Sequence, residues 1–572
     1  MFNKKIKLTT NIFFITVLSF FFLTIIIKIN FFLNYFINID SAFYVKWFSD
    51  LSLTNKIFPD SENSFFKNLL LSKDSFLHQL FRRYFNNSSE IYTIVPTVIN
   101  YLLMVSIGPG FKTFNLGSIF VNSFIPMFCS FYFYRKYKLT NFNGILSAIF
   151  IYLIFFTNFY FFYWSPLGIH NYSLLSLFIS FLIIDSNYKK EKFFNSKVIF
   201  FAILLPCFTH KFNVPLIFLT LFFIVIYRKN YSNKLCKELF YLFSLFILVV
   251  SPLVLGFYLN PKNIAFLNAF FSENQSLNSN EKSFIYNLLN YEINIIKFAL
   301  PKLFLNYYYN LNIVGIFLFA LSLLKSNSLI LKFFLLSNIL IFIFLPVSYF
   351  SIRIFNYQLL IVLILLIDYF IKNINFNKKN INSNNKSFNL FVLIIFFCFI
   401  SLSTYKTFFK KKLDNNASQL IEVYFKGNEK LKDLLFLINK SKQINSSNII
   451  FGSYVAKDLF YSYFYEYNKN ENIDDYPSIN SLYEKKNNHS DLKSLNINFE
   501  KLYSTYYFNI LSKEKNIITD PTLDKLCEMR IYNYNNCGNL KKLELFINNK
   551  SVKDVFYNGN TYSLFFYKIE PK

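Results

Sequence analysis

The sequence predicts a mostly α-helical polytopic membrane bundle of about 11 spans, with a long first outer loop and a C-terminal soluble α/β domain. Three observations predict it. Of the 572 residues, 54% are hydrophobic and 22% aromatic, far more apolar mass than a soluble core uses. Runs such as "NIFFITVLSFFFLTIII" (11–27) and "LIVLILLIDYFI" (360–371) approach the roughly 20 residues that span a bilayer core. From about residue 413 onward these runs stop. The formal charge of +27 does not point to nucleic acid, because the lysines sit in short clusters at the ends of apolar runs.

The elements follow in order. "MFNKKIKLTT" opens with a basic segment, and the apolar run behind it is too long for a cleaved signal peptide, so it reads as a retained anchor over 10–33 with its start inside. Residues 34–90 then form an outer loop carrying Asp40, Arg82 and Arg83. The segment 91–110 reads as a juxtamembrane helix, because a crossing there would put "YRKYK" (134–138) outside. The outer loop therefore extends over 34–113. Spans follow at 114–134 and 141–160, with an outer loop at 162–171 and a return over 172–185 to the basic "NYKKEK". A hairpin of 197–209 and 213–227 turns tightly through "FTHKFNVP", and 238–258 exits again. Residues 259–309 are a second outer loop, and spans near 310–324, 330–348, 354–372 and 388–405 complete the bundle.

Residues 1–405 thus form the transmembrane domain and 406–572 an extracytoplasmic domain, although the lysines of "YKTFFKKK" (405–412) pull towards the inside. In that domain a helix is expected at 419–439, a strand at 446–455, a helix at 456–467 and a closing strand at 562–569. Cys527 and Cys537 lie together in polar sequence and are the candidate disulfide, which requires an oxidising compartment. Cys129, Cys207, Cys236 and Cys398 fall in or beside apolar segments.

No phosphate-binding glycine loop, dinucleotide fingerprint or H-E-x-x-H is present, and four scattered histidines make no metal centre. What stands out is a set of polar groups at the outer ends of spans: Asp40, Arg82, Arg83, His170 with Asn171, His210 with Lys211, and Arg353. Ionisable groups at membrane depth are costly and mark candidate sites.

The pattern resembles the GT-C superfamily of membrane glycosyltransferases. It is carried by D-x-x-x-Y in "DSAFY" (40–44), "LSLTNKIFPDSE" (51–62), "YTIVPTVINYLLMVSIG" (92–108), the hairpin "THKFNVP" (209–215) and the arginine of "SIRIFNYQLL" (351–360), and it covers most of 1–405. The resemblance implies a multi-pass inner (plasma) membrane enzyme that takes a sugar from a polyprenyl-phosphate carrier to an envelope glycan, lipid or protein acceptor on the outer face. Asp40 is then the general base, Lys211 and Arg353 with Arg82 or Arg83 bind the donor phosphate, and Tyr44, His170 and His210 contact substrate. Ser41 stands where many relatives carry a second acid, so no cofactor is required by the resemblance and a divalent metal is left open. The expected partners are the lipid-linked sugar, the acceptor and membrane lipids, with no nucleic acid. A transporter or flippase of lipid-linked intermediates predicts paired charges within spans. A polymerase predicts arginines in the late outer loop, and 259–309 has none. A non-catalytic scaffold predicts that Asp40 is dispensable.

Overall fold

The computed structural model describes residues 2–33, 39–54, 93–163, 168–188, 197–210, 212–228, 235–259, 300–325, 328–344, 352–374, 383–409, 449–451, 460–462, 464–466, 515–519, 552–555 and 565–569. Its helices are α1 (Phe2–Phe32), α2 (Ile39–Thr54), α3 (Ile94–Ile107), α4 (Phe111–Tyr137), α5 (Asn141–Thr157), α6 (Phe159–Tyr163), α7 (Gly168–Asn187), α8 (Lys197–Cys207), α9 (Asn213–Tyr227), α10 (Leu235–Leu259), α11 (Leu300–Lys325), α12 (Leu329–Phe344), α13 (Ile352–Ile374) and α14 (Ser383–Thr404), the last running into a π-turn at Tyr405–Phe409. The strands are β1 (Ile449–Phe451), β2 (Lys515–Thr519), β3 (Val552–Val555) and β4 (Phe565–Ile569). The chain divides into two compact units.

The first unit comprises Met1–Leu33, Leu70–Ile99 and Asn115–Leu413. Among the described residues four helices are long and apolar enough to cross a membrane, namely Ile12–Phe32, Phe111–Tyr137, Gly168–Asn187 and Leu390–Phe408, and six shorter apolar helices accompany them. Apolar side chains also face outward: Ile15 of α1 is 60% exposed, Phe243 of α10 61% and Phe397 of α14 72%. An apolar surface of this kind is stable in lipid and prone to aggregation in water, so the unit is a membrane helical bundle. Helix α13 is its axis, buried on every side from Leu359 to Ile371. The inward face of α1 is built from Phe13, Val17, Phe21 and Ile25, one residue per turn at i, i+4 spacing, against Met127, Ala148 and Tyr152.

Hydrogen bonds at the helix ends fix the directions. Helices α4, α7 and α13 run the same way, since polar groups join their first halves (Asn171 Nδ2 to Ser118 Oγ, 2.7 Å; Tyr357 OH to Ser173 Oγ, 2.8 Å) and others join their last turns. We call the end where they begin the upper end. Helix α1 finishes there, because Asn115 Nδ2 donates to the Phe32 carbonyl at 3.3 Å. Helices α5 and α14 also finish there, with Thr407 Oγ1 donating to the Thr157 carbonyl at 2.6 Å. Helices α8 and α9 form the expected hairpin, closed by Asn213 N to His210 O at 3.0 Å and Asn213 Nδ2 to Pro206 O at 2.9 Å.

The segment 91–110 has both flanks at the upper end: Val95 N donates to Phe208 O at 3.2 Å, and Asn115 holds the end of α1. Helix α3 has 14 residues, fewer than the roughly 20 of a full span. Helix α11 breaks at Asn312, whose φ of 54° and ψ of 178° interrupt the coil, while its Oδ1 accepts from Gly315 N at 3.0 Å and restarts it. Gly144 lies where a Cβ would meet the Tyr134 ring at 2.7 Å, so α4 and α5 approach closely because that residue has no side chain.

The second unit comprises Asn34–Leu69, Asn100–Phe114 and Asp414–Lys572. Its strands form one sheet in the order β1-β2-β4-β3, with β1 and β2 parallel and the other pairs antiparallel. β1 falls within the expected strand 446–455 and β4 within 562–569, whereas the expected helix at 419–439 lies outside the described residues. Two features differ from the sequence reading. Residues 39–54 are helical rather than loop, because Tyr44, Trp47, Phe48 and Leu51 recur at helical spacing in a stretch too short for a spanning window. Residues 100–114, from the end of α3 to the start of α4, also belong to one unit with the C-terminal residues: Lys112 pairs with Glu466 (Nζ to Oε1, 3.5 Å), and Gly110 at φ 126° leaves no room for a Cβ beside the Glu466 backbone.

Candidate functional site at the upper end of the bundle

The upper end of the first unit holds a chain of buried polar side chains in helices that are otherwise apolar. Lys28, one turn before the end of α1 and 3% exposed, donates to Asn122 Oδ1 of α4. Asn122 Nδ2 donates to Asn171 Oδ1 of α7 at 2.8 Å, and Asn171 Nδ2 passes on to Ser118 Oγ of α4 at 2.7 Å. Each amide is thereby held in one orientation, with the Asn122 carbonyl facing the ammonium.

A second cluster adjoins it along α7. Ser173 Oγ accepts from Asn213 Nδ2 of α9 and from the Tyr357 hydroxyl of α13, both at 2.8 Å. The histidines stand here as well: the His170 and His210 rings are 5.1 Å apart, and His210 is 6.2 Å from the Tyr357 ring. His210 Nδ1 accepts from the Phe212 amide at 3.3 Å, which leaves the ring proton on Nε2. Tyr357 also borders a small apolar gap between helices, lined by Leu177, Phe181, Leu216, Phe334 and Leu360.

Of the residues singled out by sequence, the structure brings His170 and His210 together. Tyr44 lies in α2, its ring 5.9 Å from Phe48. Asp40 is the second residue of α2 and Arg353 the second of α13; both are placed by backbone alone, and their side chains lie outside the described residues. The position of Asp40 in the first turn of a helix is one that favours an acidic residue. Asp40 belongs to the second unit and Arg353 to the first. Lys211, Arg82, Arg83, Cys527 and Cys537 also lie outside the described residues. Among the described residues no three His, Cys, Asp or Glu side chains stand together as metal ligands. The sequence reading passed over Lys28, Asn122, Ser173, Asn213 and Tyr357. Lys28 left a signal, as the one charged residue in the apolar run from 11 to 33.

The lower end carries a different arrangement, ionisable groups that pair with one another. Asp368 of α13, 1% exposed, accepts from Lys136 Nζ at 3.1 Å and from the Tyr137 hydroxyl at 2.7 Å. Lys136 also faces Asp185 of α7 at 3.9 Å, which Tyr132 hydrogen-bonds. A further buried pair, Arg228 with Glu238 at 3.6 Å, ties the end of α9 to the start of α10.

Comparison of the chain with protein-family models and with curated proteins finds no match in either.

Proposed function

We propose that the chain is a multi-pass inner-membrane glycosyltransferase of the GT-C kind, with about eleven crossings and its C-terminal domain outside. It moves a sugar from a polyprenyl-phosphate carrier to an envelope glycan, lipid or protein. The observation that carries this reading is the polar upper end of the bundle, where Lys28, Asn122, Asn171, Ser173, Asn213, Tyr357 and the two histidines interrupt apolar helices. A lipid-linked sugar needs polar groups for its head group within an apolar surround for its carrier.

In the proposed reaction the acceptor hydroxyl oxygen attacks the anomeric carbon and forms the new glycosidic bond. The bond from that carbon to the carrier phosphate oxygen breaks, and the lipid phosphate leaves with the electron pair. Asp40 takes the acceptor proton. Lys211 and Arg353, with Arg82 or Arg83, neutralise the departing phosphate. These roles rest on the sequence pattern. The test is a transfer assay in nanodiscs with a radiolabelled polyprenyl-phosphate sugar and envelope extract as acceptor. Label should move to the extract with wild-type protein, and not with Asp40→Asn; label that stays on the carrier in both refutes the reading.

A second reading, a transporter or flippase of lipid-linked glycans, finds limited support at the lower end. Lys136 with Asp185 and Asp368 brings ionisable groups of three helices together, towards the helix ends and not deep within the spans where that class would carry them. It predicts movement of the lipid-linked sugar across proteoliposomes with no new bond formed.

A further inference from the structure

Lys28, Arg228, Glu238 and Asp368 are the buried Lys, Arg, Asp and Glu residues among the described residues. Arg228 and Glu238 face each other, and Asp368 faces Lys136. Lys28 has a neutral neighbour instead, the carbonyl oxygen of Asn122. An ammonium has three N–H donors. One of them reaches Asn122, and among the described residues no carboxylate lies within ion-pairing distance. Holding a charge in a low-dielectric interior without a counter-charge is costly, and the cost is higher in a span than in a soluble core.

The surroundings are built to keep that ammonium in place. Asn122 cannot turn its amide without losing Asn171, and Asn171 cannot turn without losing Ser118. Two helices, α4 and α7, therefore cooperate to present one acceptor to Lys28. Four residues separate it from the end of α1, a rise of about 6 Å, so it lies below the upper end, within the apolar part of the helix. On the same helix Leu23, Ile26 and Phe31 are exposed to the lipid side. An anion that reaches this depth between apolar faces must bring its own apolar tail.

We propose that Lys28 is a binding cation for the phosphate of a lipid carrier, held on Asn122 until that phosphate arrives to supply the missing counter-charge. This deepens the transferase reading and rests on it for the identity of the lipid; the ion pair itself depends only on the buried charge. A compact ammonium suits a phosphate as a point charge, and the neighbouring amides fix its approach.

The test uses full-length protein in nanodiscs and measures binding of polyprenyl monophosphate, uncharged polyprenol and inorganic phosphate to wild type, Lys28→Gln, Lys28→Met and Lys28→Arg. Lys28→Gln retains a hydrogen bond to Asn122, so it keeps the proposal testable where Lys28→Met fails to fold. The expected result is a roughly tenfold or greater loss of polyprenyl monophosphate binding in Lys28→Gln, substantial retention in Lys28→Arg, and no change for polyprenol. Equal binding of polyprenyl monophosphate by wild type and Lys28→Gln overturns the proposal, and so does wild-type binding of inorganic phosphate as tight as that of the lipid. Sugar transfer is read separately. Loss of lipid-phosphate binding in Lys28→Gln together with no transfer by wild type leaves Lys28 as a lipid-phosphate site and sinks the transferase reading. Transfer by wild type with unchanged donor binding in Lys28→Gln does the reverse.

Discussion

Asn171 shows what a single side chain holds together in this bundle. Its amide receives from Asn122 and gives to Ser118, so replacing it with leucine strands two buried polar groups at once. Asn171→Leu should lower stability by about 1–3 kcal/mol, read as a drop in the thermal unfolding midpoint in detergent, whereas Asn171→Gln should lose less. Lys136 is the corresponding residue at the lower end. Removing it leaves Asp368 and Asp185 facing each other without a cation, and Lys136→Met should cost about 3–5 kcal/mol. The double variant Lys136→Met/Asp368→Leu should recover part of that loss, because a buried pair replaced by apolar groups is often nearly neutral. Charges inside apolar runs are legible from sequence, as Lys28 and Asp368 are. Their partners are not: nothing local links residue 28 to 122, or 136 to 368, until helix directions and rotations are known.

The helices themselves were largely readable, since runs of Phe, Ile and Leu near bilayer length leave few alternatives. Helix α2 was not, because its 16 residues carry charges and polar groups that a membrane-length window averages into a loop. The break in α11 also has no simple signature, as an asparagine within an apolar run is compatible with straight helix. Its geometry gives a direct test. Asn312 adopts a backbone region that residues other than glycine enter at a cost of about 1–3 kcal/mol, and its side chain offsets this by capping Gly315. Asn312→Ala keeps the strain and loses the cap, so it should unfold at lower temperature than Asn312→Gly, which loses the cap and relieves the strain. Gly144→Val should separate α4 from α5, since its side chain would overlap the Tyr134 ring that stacks on Phe13 at 4.0 Å. Cross-linking between cysteines placed on α4 and α5 reads that separation.

The arrangement of the whole chain turns on one parity that the lysines of 405–412 left open in the sequence. Residues 100–114 and 414–572 belong to one unit, and in the topology proposed above that unit lies outside. A membrane-impermeant thiol reagent applied to intact cells should label cysteines introduced at 556–561 and spare those introduced at 376–381; the opposite pattern inverts the topology. The proposed role of Asp40 depends on that orientation, because a base for an aqueous acceptor must face outward. Complementation of a deletion strain with wild type or Asp40→Asn, at matched membrane levels, tests the central claim most directly, with envelope glycan mass and lipid-linked sugar as the readouts. The account predicts that wild type restores a missing sugar while Asp40→Asn does not and accumulates the donor. Equal restoration by both would contradict it.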